Sequence, residues 1–260
     1  MPSELLTDRS GGVVVLTLSN PAKRNALDPD LCRALTDAVA ALAASGVRAA
    51  VLTGSGDRAF CAGFDLSALP DGGDLAAVAA NPFDPLIEAV SASPVPIVCA
   101  LNGMAVGGGC ELAATCDLRV AHAGVELMMP PAKLGIVYAA RALARFSALV
   151  GDSRARSMFL AARSVGAEQA LRWGLVDELV PVDEVLPRAV ACAEGIARLA
   201  PLAIQGMRRT FEALLRRRAE LSEDIGAEIE RLRARAWLSE DSAEARRAFA
   251  ERRTPSFKGR

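Results

Sequence analysis

The sequence predicts an α/β fold with a helical extension. Residues 12–19, a segment beginning at Pro29 and residues 47–53 have the composition and lengths of a strand, a helix and a strand, which is typical of parallel sheets. Residues 96–100 form another apolar run, which leads through three glycines into a short helix-prone segment. From Asp152 onward helical periodicity dominates. We therefore expect a spiral or layered core capped by helices.

The helix between the first two predicted strands has clear signals at both ends. Asp28 and Pro29 suit the N-cap and first position of a helix, apolar residues at positions 31, 35, 39 and 42 share one face, and Gly46 ends the helix. Residues 20–27, just before it, form a turn with two adjacent cations, Lys23 and Arg24. Residues 54–66, after the second strand, form a predicted loop with two aromatic residues among glycines, which is unusual for a plain surface connection.

The stretch from residue 101 to residue 117 is the most informative. Gly107 to Gly109 follow a predicted buried strand and begin a helix, and Glu111 stands in its first turn. Such a turn leaves backbone N–H groups free and lets an oxyanion come close, because glycine has no Cβ. With an acid or base alongside, this arrangement suits the stabilisation of an enolate. A tight packing turn with a solvated acid is the alternative.

The remaining elements are mainly helical. Residues 70–85 are predicted to be a surface excursion, and residues 128–138 cannot form a regular helix because prolines and a glycine interrupt them. Arginine-rich segments at 216–218 and 231–235 are interpreted as solvated helix faces or subunit contacts. Helices are predicted at 86–91, 138–148, 152–162, 167–173, 182–199, 202–218, 222–238 and 239–250, with a strand at 118–121.

Composition excludes several classes of function. The net charge of −1 gives no reason to expect nucleic acid or an anionic membrane as a partner. The sequence has neither an apolar run of about 18 residues nor a secretory signal, so it predicts a cytoplasmic protein. The six scattered cysteines predict buried free thiols and no metal site. The one histidine, His122, has no neighbouring acid and is interpreted as structural.

Five segments in fixed order form a more specific pattern. They are Asn20-Pro21 through Asn25-Ala26-Leu27, Phe60-Cys61-Ala62-Gly63-Phe64-Asp65-Leu66, Asn102-Gly103 through Gly107-Gly108-Gly109-Cys110-Glu111-Leu112, Cys116-Asp117, and Ala167 through Gly174-Leu175-Val176. In this order and spacing the chain resembles the enoyl-CoA hydratase/isomerase (crotonase) family over nearly its full length.

The resemblance implies a crotonase-like ββα-spiral core with an acyl-CoA site over residues 1–198. It implies a C-terminal helical region over residues 199–260 for trimerisation and active-site capping. The expected assembly is a homotrimer or a dimer of trimers, and the expected substrate is an acyl-CoA thioester, with residues 70–85 bordering the acyl pocket. Coenzyme A then enters as part of the substrate, and no other cofactor or metal is implied.

The family binds the thioester oxygen with two backbone N–H groups as negative charge develops on it. In this sequence the donors correspond to Phe64 and Gly108. Fixed donors in a dry site stabilise such charge by several kcal/mol. The resemblance therefore predicts an oxyanion hole at these two residues.

Family members hold the nucleotide end of coenzyme A with main-chain groups and cations. Ala62 corresponds to the main-chain position, and Lys23, Arg24 and Lys258 are the candidate cations, with Lys258 acting on its own or on a neighbouring subunit. The alternatives are simple turn cations for the first two and a tail residue for the third.

The sequence departs from the hydratase pattern at one position. Glu111 corresponds to the first of two glutamates that position and activate water, but Pro131 stands at the second, and proline cannot transfer a proton. Tyr138 lies in a segment that resembles the malonyl-type acyl-CoA decarboxylases of the family, which also have a glutamate at the position of Glu111. Those decarboxylases often have histidine where Phe64 stands.

Three hypotheses follow. The first is a lyase that decarboxylates a malonyl-type acyl-CoA through Tyr138 and Glu111, or hydrates a 2-enoyl-CoA through Glu111 alone. The second is an enoyl-CoA isomerase or another enolate enzyme whose base is not visible in the motif. The third is a non-catalytic acyl-CoA-binding protein, although a pure binder has no need of a carboxylate beside an oxyanion hole.

Overall fold

The computed structural model describes residues 2–68 and 81–260, and these form two β-sheets surrounded by helices. The larger sheet has the strand order β1-β2-β3-β5-β7-β10, in which β1 is antiparallel to β2 and the other pairs are parallel. The smaller sheet has the order β4-β6-β8-β9. The strands are β1 Glu4–Ser10, β2 Val13–Ser19, β3 Ala49–Gly54, β4 Ala59–Cys61, β5 Ile97–Leu101, β6 Met104–Val106, β7 Leu118–Ala121, β8 Glu126–Met128, β9 Ser164–Gly166 and β10 Glu178–Leu179.

The helices fill the intervals between strands and make up the C-terminal part. Asp28 caps the first helix as predicted, since its side chain accepts a hydrogen bond from the Leu31 amide at 2.9 Å. The α-helices of the described residues are α1 Pro29–Ala41, α2 Phe83–Ala92, α3 Gly108–Thr115, α4 Ala140–Val150, α5 Asp152–Leu160, α6 Ala167–Trp173, α7 Val185–Ala197, α8 Pro201–Ala219, α9 Glu223–Trp237 and α10 Glu240–Glu251.

The two faces of the larger sheet are covered differently. Alternate residues of a strand point to opposite faces, and both faces of β2 are apolar. On one face Val14 and Leu16 belong to the main core, which also contains residues of the smaller sheet, such as Phe60 and Leu127. On the other face Val13 packs in a second cluster with side chains of α7. Burial on both faces explains the near-continuous apolar runs of β2, β3 and β5.

The structure corrects several predicted elements. Strand β1 was not predicted, because its mostly exposed and polar sequence shows no apolar periodicity. Strand β4 lies inside the predicted loop 54–66, and β4, β6, β8 and β9 have three residues each, too few for a pattern. The predicted helix 182–199 begins with a 3₁₀ turn, and its α-helix starts at Val185.

Two further predictions concern the cysteines and the segment before α2. All six cysteines are free and five of them are buried, which confirms free thiols, while Cys192 is partly exposed. Most of the predicted excursion at 70–85 lies outside the described residues, and α2 begins at Phe83, earlier than predicted. Over residues 2–68 and 81–260, none of the helices combines the length and apolarity needed to cross a bilayer. The division at residues 198/199 stays a prediction.

Candidate active site

Three segments leave neighbouring parallel strands at the same edge of the smaller sheet. Strand β4 is parallel to β6, and β6 is parallel to β8. The carboxyl ends of parallel strands share one edge, so the segments that follow these three strands emerge together. They carry Phe64 after β4, Gly108 after β6, and Tyr138 beyond β8. The sheet topology thus gathers residues that are far apart in the sequence.

The loop after β4 is held in place by hydrogen bonds that leave one amide free. The Leu27 amide donates to the Gly63 carbonyl, and the Asp65 amide donates to the Leu27 carbonyl, both at 2.8 Å. The Lys23 ammonium donates to the Asp65 carboxylate at 2.6 Å. The Phe64 amide has no acceptor among residues 2–68 and 81–260.

Glycines allow this loop to approach the start of α3. Gly63 has a φ of +98°, and a Cβ on it would lie 2.7 Å from the Val106 carbonyl oxygen. A Cβ on Gly109 would overlap the carbonyl of Cys61. A Cβ on Gly108 would lie 3.4 Å from the Phe64 amide nitrogen. Any larger residue would push the two segments apart or obstruct the space between them.

The amides of Phe64 and Gly108 therefore lie side by side at a helix start. In the described chain the Gly108 amide, like that of Phe64, donates to no protein acceptor, as expected for the first residue of a helix. The Phe64 and Phe83 rings meet edge to face with centroids 6.5 Å apart, and Phe83 contacts the position of a Gly108 Cβ. Two free amide donors thus lie next to a pair of aromatic rings, an arrangement that can receive a ligand oxygen.

Glu111 lies one turn into α3 and is almost fully buried. Its carboxylate accepts no hydrogen bond from the part of the chain that the structure describes, and its ion-pair partner is Arg145, with Nη1 3.8 Å from Oε1. Burial raises the pKa of Glu111 to about 7, and the charge of Asp84 adds to the rise, while Arg145 and Arg233 oppose it. A carboxyl group of this kind can donate or accept a proton near neutral pH.

Tyr138 is half-buried and its hydroxyl lies close to the glycine turn. A Cβ on Gly107 would be 3.8 Å from the hydroxyl oxygen, and the Tyr138 ring packs edge to face on Phe159. Burial raises the pKa of Tyr138 well above its ordinary value, and the charge of Glu111 adds to the effect. The hydroxyl therefore stays protonated and can donate a hydrogen bond to a ligand at the turn.

Comparisons with known proteins show the family of this chain. The family model described as "Enoyl-CoA hydratase/isomerase" matches residues 8–260. The chain belongs to this family. It is 42% identical over 250 residues to the Mycobacterium tuberculosis protein named "Probable enoyl-CoA hydratase echA6", covering 95% of this chain and 96% of the relative. It is 37% identical over 260 residues to 2,3-dehydroadipyl-CoA hydratase of Escherichia coli, covering 99% of this chain and all of the relative.

Solved structures of the family confirm the crotonase fold. The structure titled "Methylmalonyl-CoA decarboxylase in complex with 2-nitronate-propionyl-CoA" matches with a TM-score of 0.93 and 26% identity, over 98% of each chain. A Bacillus anthracis enoyl-CoA hydratase matches with a TM-score of 0.76 and 29% identity, over 98% of this chain and 99% of the other. Relatives with different names thus share this fold.

The structure brings together four residues that family resemblance predicts for the site. Phe64, Gly108, Glu111 and Tyr138 surround one glycine turn, as the contacts above show. Pro131 is buried and opens a 3₁₀ turn, so no proton-transfer group stands at that position. The roles of these residues stay predictions.

The candidate coenzyme A residues divide into two groups. The Ala62 amide donates to the Arg24 carbonyl at 3.0 Å, so both lie beside the loop that carries Phe64. The Lys23 ammonium donates hydrogen bonds to the Asp65 carboxylate and, at 3.0 Å, to the Ser67 hydroxyl. Half of the Lys23 side chain is nevertheless exposed. Lys258 lies in the C-terminal segment, where its amide donates to Asp241 at 2.6 Å.

Sequence reasoning missed three charged residues near Glu111. Asp84 is in the first turn of α2, Arg145 on α4 and Arg233 on α9, and all three affect the pKa of Glu111. Arg233 was expected on a solvated face or subunit contact, but its Nε donates to the Val137 carbonyl at 3.4 Å, next to Tyr138. No local signal marks these positions, since only helix packing brings them to α3. His122 follows β7, and its Nδ1 accepts a hydrogen bond from the Gly124 amide at 3.1 Å.

Proposed function

We propose that this protein is an acyl-CoA lyase that stabilises a thioester enolate between the amides of Phe64 and Gly108. The supporting observation is the pair of adjacent free amides at the start of α3, with only 3.4 Å between a Gly108 Cβ position and the Phe64 nitrogen. Donors fixed before the reaction need no reorganisation when charge moves onto the thioester oxygen. The names of the relatives, all acyl-CoA enzymes, support an acyl-CoA substrate.

The reaction that the geometry supports best is decarboxylation of a malonyl-type acyl-CoA. The bond between the α-carbon and the carboxylate breaks, carbon dioxide leaves, and the electron pair forms an enolate whose oxygen accepts from both amides. Glu111, with a pKa of about 7, then donates its proton to the α-carbon. The Tyr138 hydroxyl orients the departing carboxylate by a hydrogen bond. Pro131 agrees with this scheme, because no second acid is required there.

Hydration of a 2-enoyl-CoA is the second candidate, and Asp84 favours it. Hydration of this kind needs two carboxylates around one water, and Asp84 is a carboxylate whose charge raises the pKa of both Glu111 and Tyr138. In this scheme Asp84 replaces the acid missing at Pro131. The hydratase names of the relatives from Mycobacterium and Escherichia also support this reaction.

Coenzyme A binding is proposed at the loop that carries Phe64. Arg24 and the Ala62 backbone lie together there, and exposed Arg24 supplies a cation for the phosphates. Lys23 contributes mainly by holding Asp65, and Lys258 acts from the C-terminal segment. Coenzyme A is part of the substrate, and the scheme uses no metal or redox cofactor.

We also propose that copies of the chain assemble through α8 into a homotrimer or a dimer of trimers. Four large apolar side chains on this helix, Leu202, Met207, Phe211 and Leu214, are each more than half exposed. A row of this kind usually marks an interface. A cytoplasmic location stays a prediction.

Product analysis with two substrates tests the function. Purified protein is incubated separately with methylmalonyl-CoA and with a short 2-enoyl-CoA, and product masses are followed. Loss of carbon dioxide from methylmalonyl-CoA alone supports decarboxylation, whereas addition of water to the enoyl-CoA supports hydration. E111Q should lower kcat for either reaction by about 10²–10⁴-fold.

D84N separates the two candidates. It should abolish hydration if Asp84 is the second acid, and it should leave decarboxylation within a few-fold of the unmodified protein. If neither substrate reacts while both bind, the chain is an acyl-CoA-binding protein and the lyase proposal fails.

A further inference from the structure

Arg145 is a buried cation next to Glu111, and it has no role in the proposed reaction as described above. It lies on α4 with a side chain that is 6% exposed, and its Nη1 faces Glu111 Oε1 across 3.8 Å. This distance is too long for a hydrogen bond, and Nη1 finds no hydrogen-bond partner in residues 2–68 or 81–260. A buried guanidinium with one unsatisfied arm is costly to the fold, so a purely structural role explains it poorly.

The other arm of Arg145 is anchored away from the site. Its Nη2 donates to the Ser91 hydroxyl at 3.2 Å, and the Ser91 hydroxyl donates to Glu212 on α8 at 2.5 Å. Glu212 is itself buried and also accepts from Arg141 and from Arg216 Nε. This chain of contacts fixes where the guanidinium can lie.

We propose that Arg145 is a positioning residue that stabilises the ionised form of Glu111, held for that purpose by Ser91 and Glu212. When Glu111 gives its proton to the enolate carbon, negative charge moves from the thioester oxygen to the Glu111 carboxylate. The Arg145 cation lies next to that carboxylate and compensates its charge in a site with little water. The part of this inference that concerns catalysis rests on the proposed function.

Other charged groups around Glu111 do not replace Arg145. Asp84 on α2 acts in the opposite sense, and Arg233 on α9 is shared with the Glu230 carboxylate, to which its Nη1 donates at 2.9 Å. Tyr138 and Cys110 are neutral at ordinary pH, since burial raises the pKa of both. Among the described residues, Arg145 is the cation within 4 Å of the Glu111 carboxylate.

A direct titration of Glu111 tests the proposal without depending on activity. The infrared bands of the carboxyl group are isolated as the difference between each protein and its E111Q counterpart, and followed against pH. In R145M we expect Glu111 to titrate roughly 1–3 pH units higher than in the unmodified protein, because the nearby opposite charge is gone. R145K should restore part of the shift.

Two further variants make the result specific. R216M removes an arginine that contacts Glu212 but not Glu111, and it should leave the pH at which Glu111 titrates unchanged. S91A removes the hydroxyl that holds Arg145 Nη2, whereas Glu212 keeps Arg141 and Arg216 as partners, and it should shift the titration upward by less than R145M. An unmoved titration in both R145M and S91A would overturn the proposal, and so would a shift of equal size in R216M.

The kinetic consequence is a second readout. If Glu111 donates the proton, kcat/KM for decarboxylation falls as pH rises through the pKa of Glu111. R145M should then move this fall to higher pH and lower kcat more than it changes KM. A titration shift without any reaction of methylmalonyl-CoA would uphold the role of Arg145 and contradict the proposed decarboxylation.

Discussion

At the scale of single residues, the site depends on what is absent as much as on what is present. Gly63, Gly108 and Gly109 have no Cβ, and this alone allows two backbone segments to meet closely enough to share a ligand oxygen. The Glu111 carboxyl group neither donates nor accepts a side-chain hydrogen bond in the described structure, so it is free to exchange a proton with a ligand. The glycine turn with an acid in the helix that follows could be predicted from the sequence, because three glycines followed by an acid are a local signal, whereas the burial of that acid and the approach of Gly63 could not.

The charged neighbours of Glu111 could not be predicted in the same way. Arg145 reaches α3 only because α4 packs beside it, and Asp84 does so because α2 begins there. Nothing in the local sequence around either residue distinguishes it from a surface charge.

Glu111 gives a prediction on stability against pH. Its folded pKa, about 7, lies above the ordinary value of 4.5, so the folded state binds more protons than the unfolded state between these values. The free energy of unfolding of the unmodified protein should therefore fall over this interval relative to that of E111Q, which carries no proton to lose. Urea unfolding at several pH values measures this difference. A difference that does not change between pH 4 and pH 8 would mean that Glu111 is not buried as described.

At the scale of elements, the order of the strands in the smaller sheet determines which residues come together in the candidate site. The proposed oxyanion donors follow β4 and β6, which are three-residue strands that no periodicity can reveal. The longer β3 and β5 were predicted close to their observed bounds, and α1 begins at Pro29 as predicted but ends at Ala41, before the predicted end at Gly46. The resemblance to the family supplied the pairing of Phe64 with Gly108. Pattern alone could not supply it, because the pairing is a property of two neighbouring strands.

Helix α10 supports the segment that carries Tyr138. Gly135, with a φ of +64°, ends the 3₁₀ turn at residues 131–134, and a Cβ on it would lie 2.9 Å from Ser242 Cα on α10. G135A should destabilise the protein by roughly 2 kcal/mol or more, from the left-handed backbone and from overpacking together. Thermal unfolding of G135A measures this loss.

Gly195 offers a matched control for G135A. It lies inside α7, and nothing stands within 4 Å of a Cβ there. G195A should be neutral or stabilise the protein by about 0.5–1 kcal/mol, because alanine has the higher helix propensity. Equal effects of the two substitutions would show that neither the left-handed backbone at Gly135 nor its contact with α10 contributes to stability.

At the scale of the whole molecule, the apolar side chains of Leu202, Met207, Phe211 and Leu214 on α8 are exposed to solvent in a single chain. The opposite face of α8 holds Glu212, which belongs to the contacts that fix Arg145. One helix thus joins the predicted subunit interface to the candidate site.

Substitution of one of these side chains tests the assembly. Phe211 is 71% exposed, and F211D would place a charge where an interface requires an apolar surface. We expect light scattering after gel filtration to give the mass of a trimer or hexamer for the unmodified protein and a monomer mass for F211D. R218A, a change near the end of the same helix, is the control and should keep the assembly. A monomeric unmodified protein would contradict the proposed trimer.

We propose that the amides of Phe64 and Gly108 bind an enolate oxygen, and a comparison of two ligands tests this role most directly. 2-Nitropropionyl-CoA ionises to a nitronate whose negative charge is conjugated with the thioester, as in the enolate, whereas propionyl-CoA is neutral at that position. Calorimetry should give a Kd at least about 100-fold lower for the nitronate, because a catalytic site binds the charged intermediate better than the ground state. G108A should lose this preference, since its Cβ obstructs the space beside the Phe64 amide. Equal affinity for the two ligands in the unmodified protein would contradict the account.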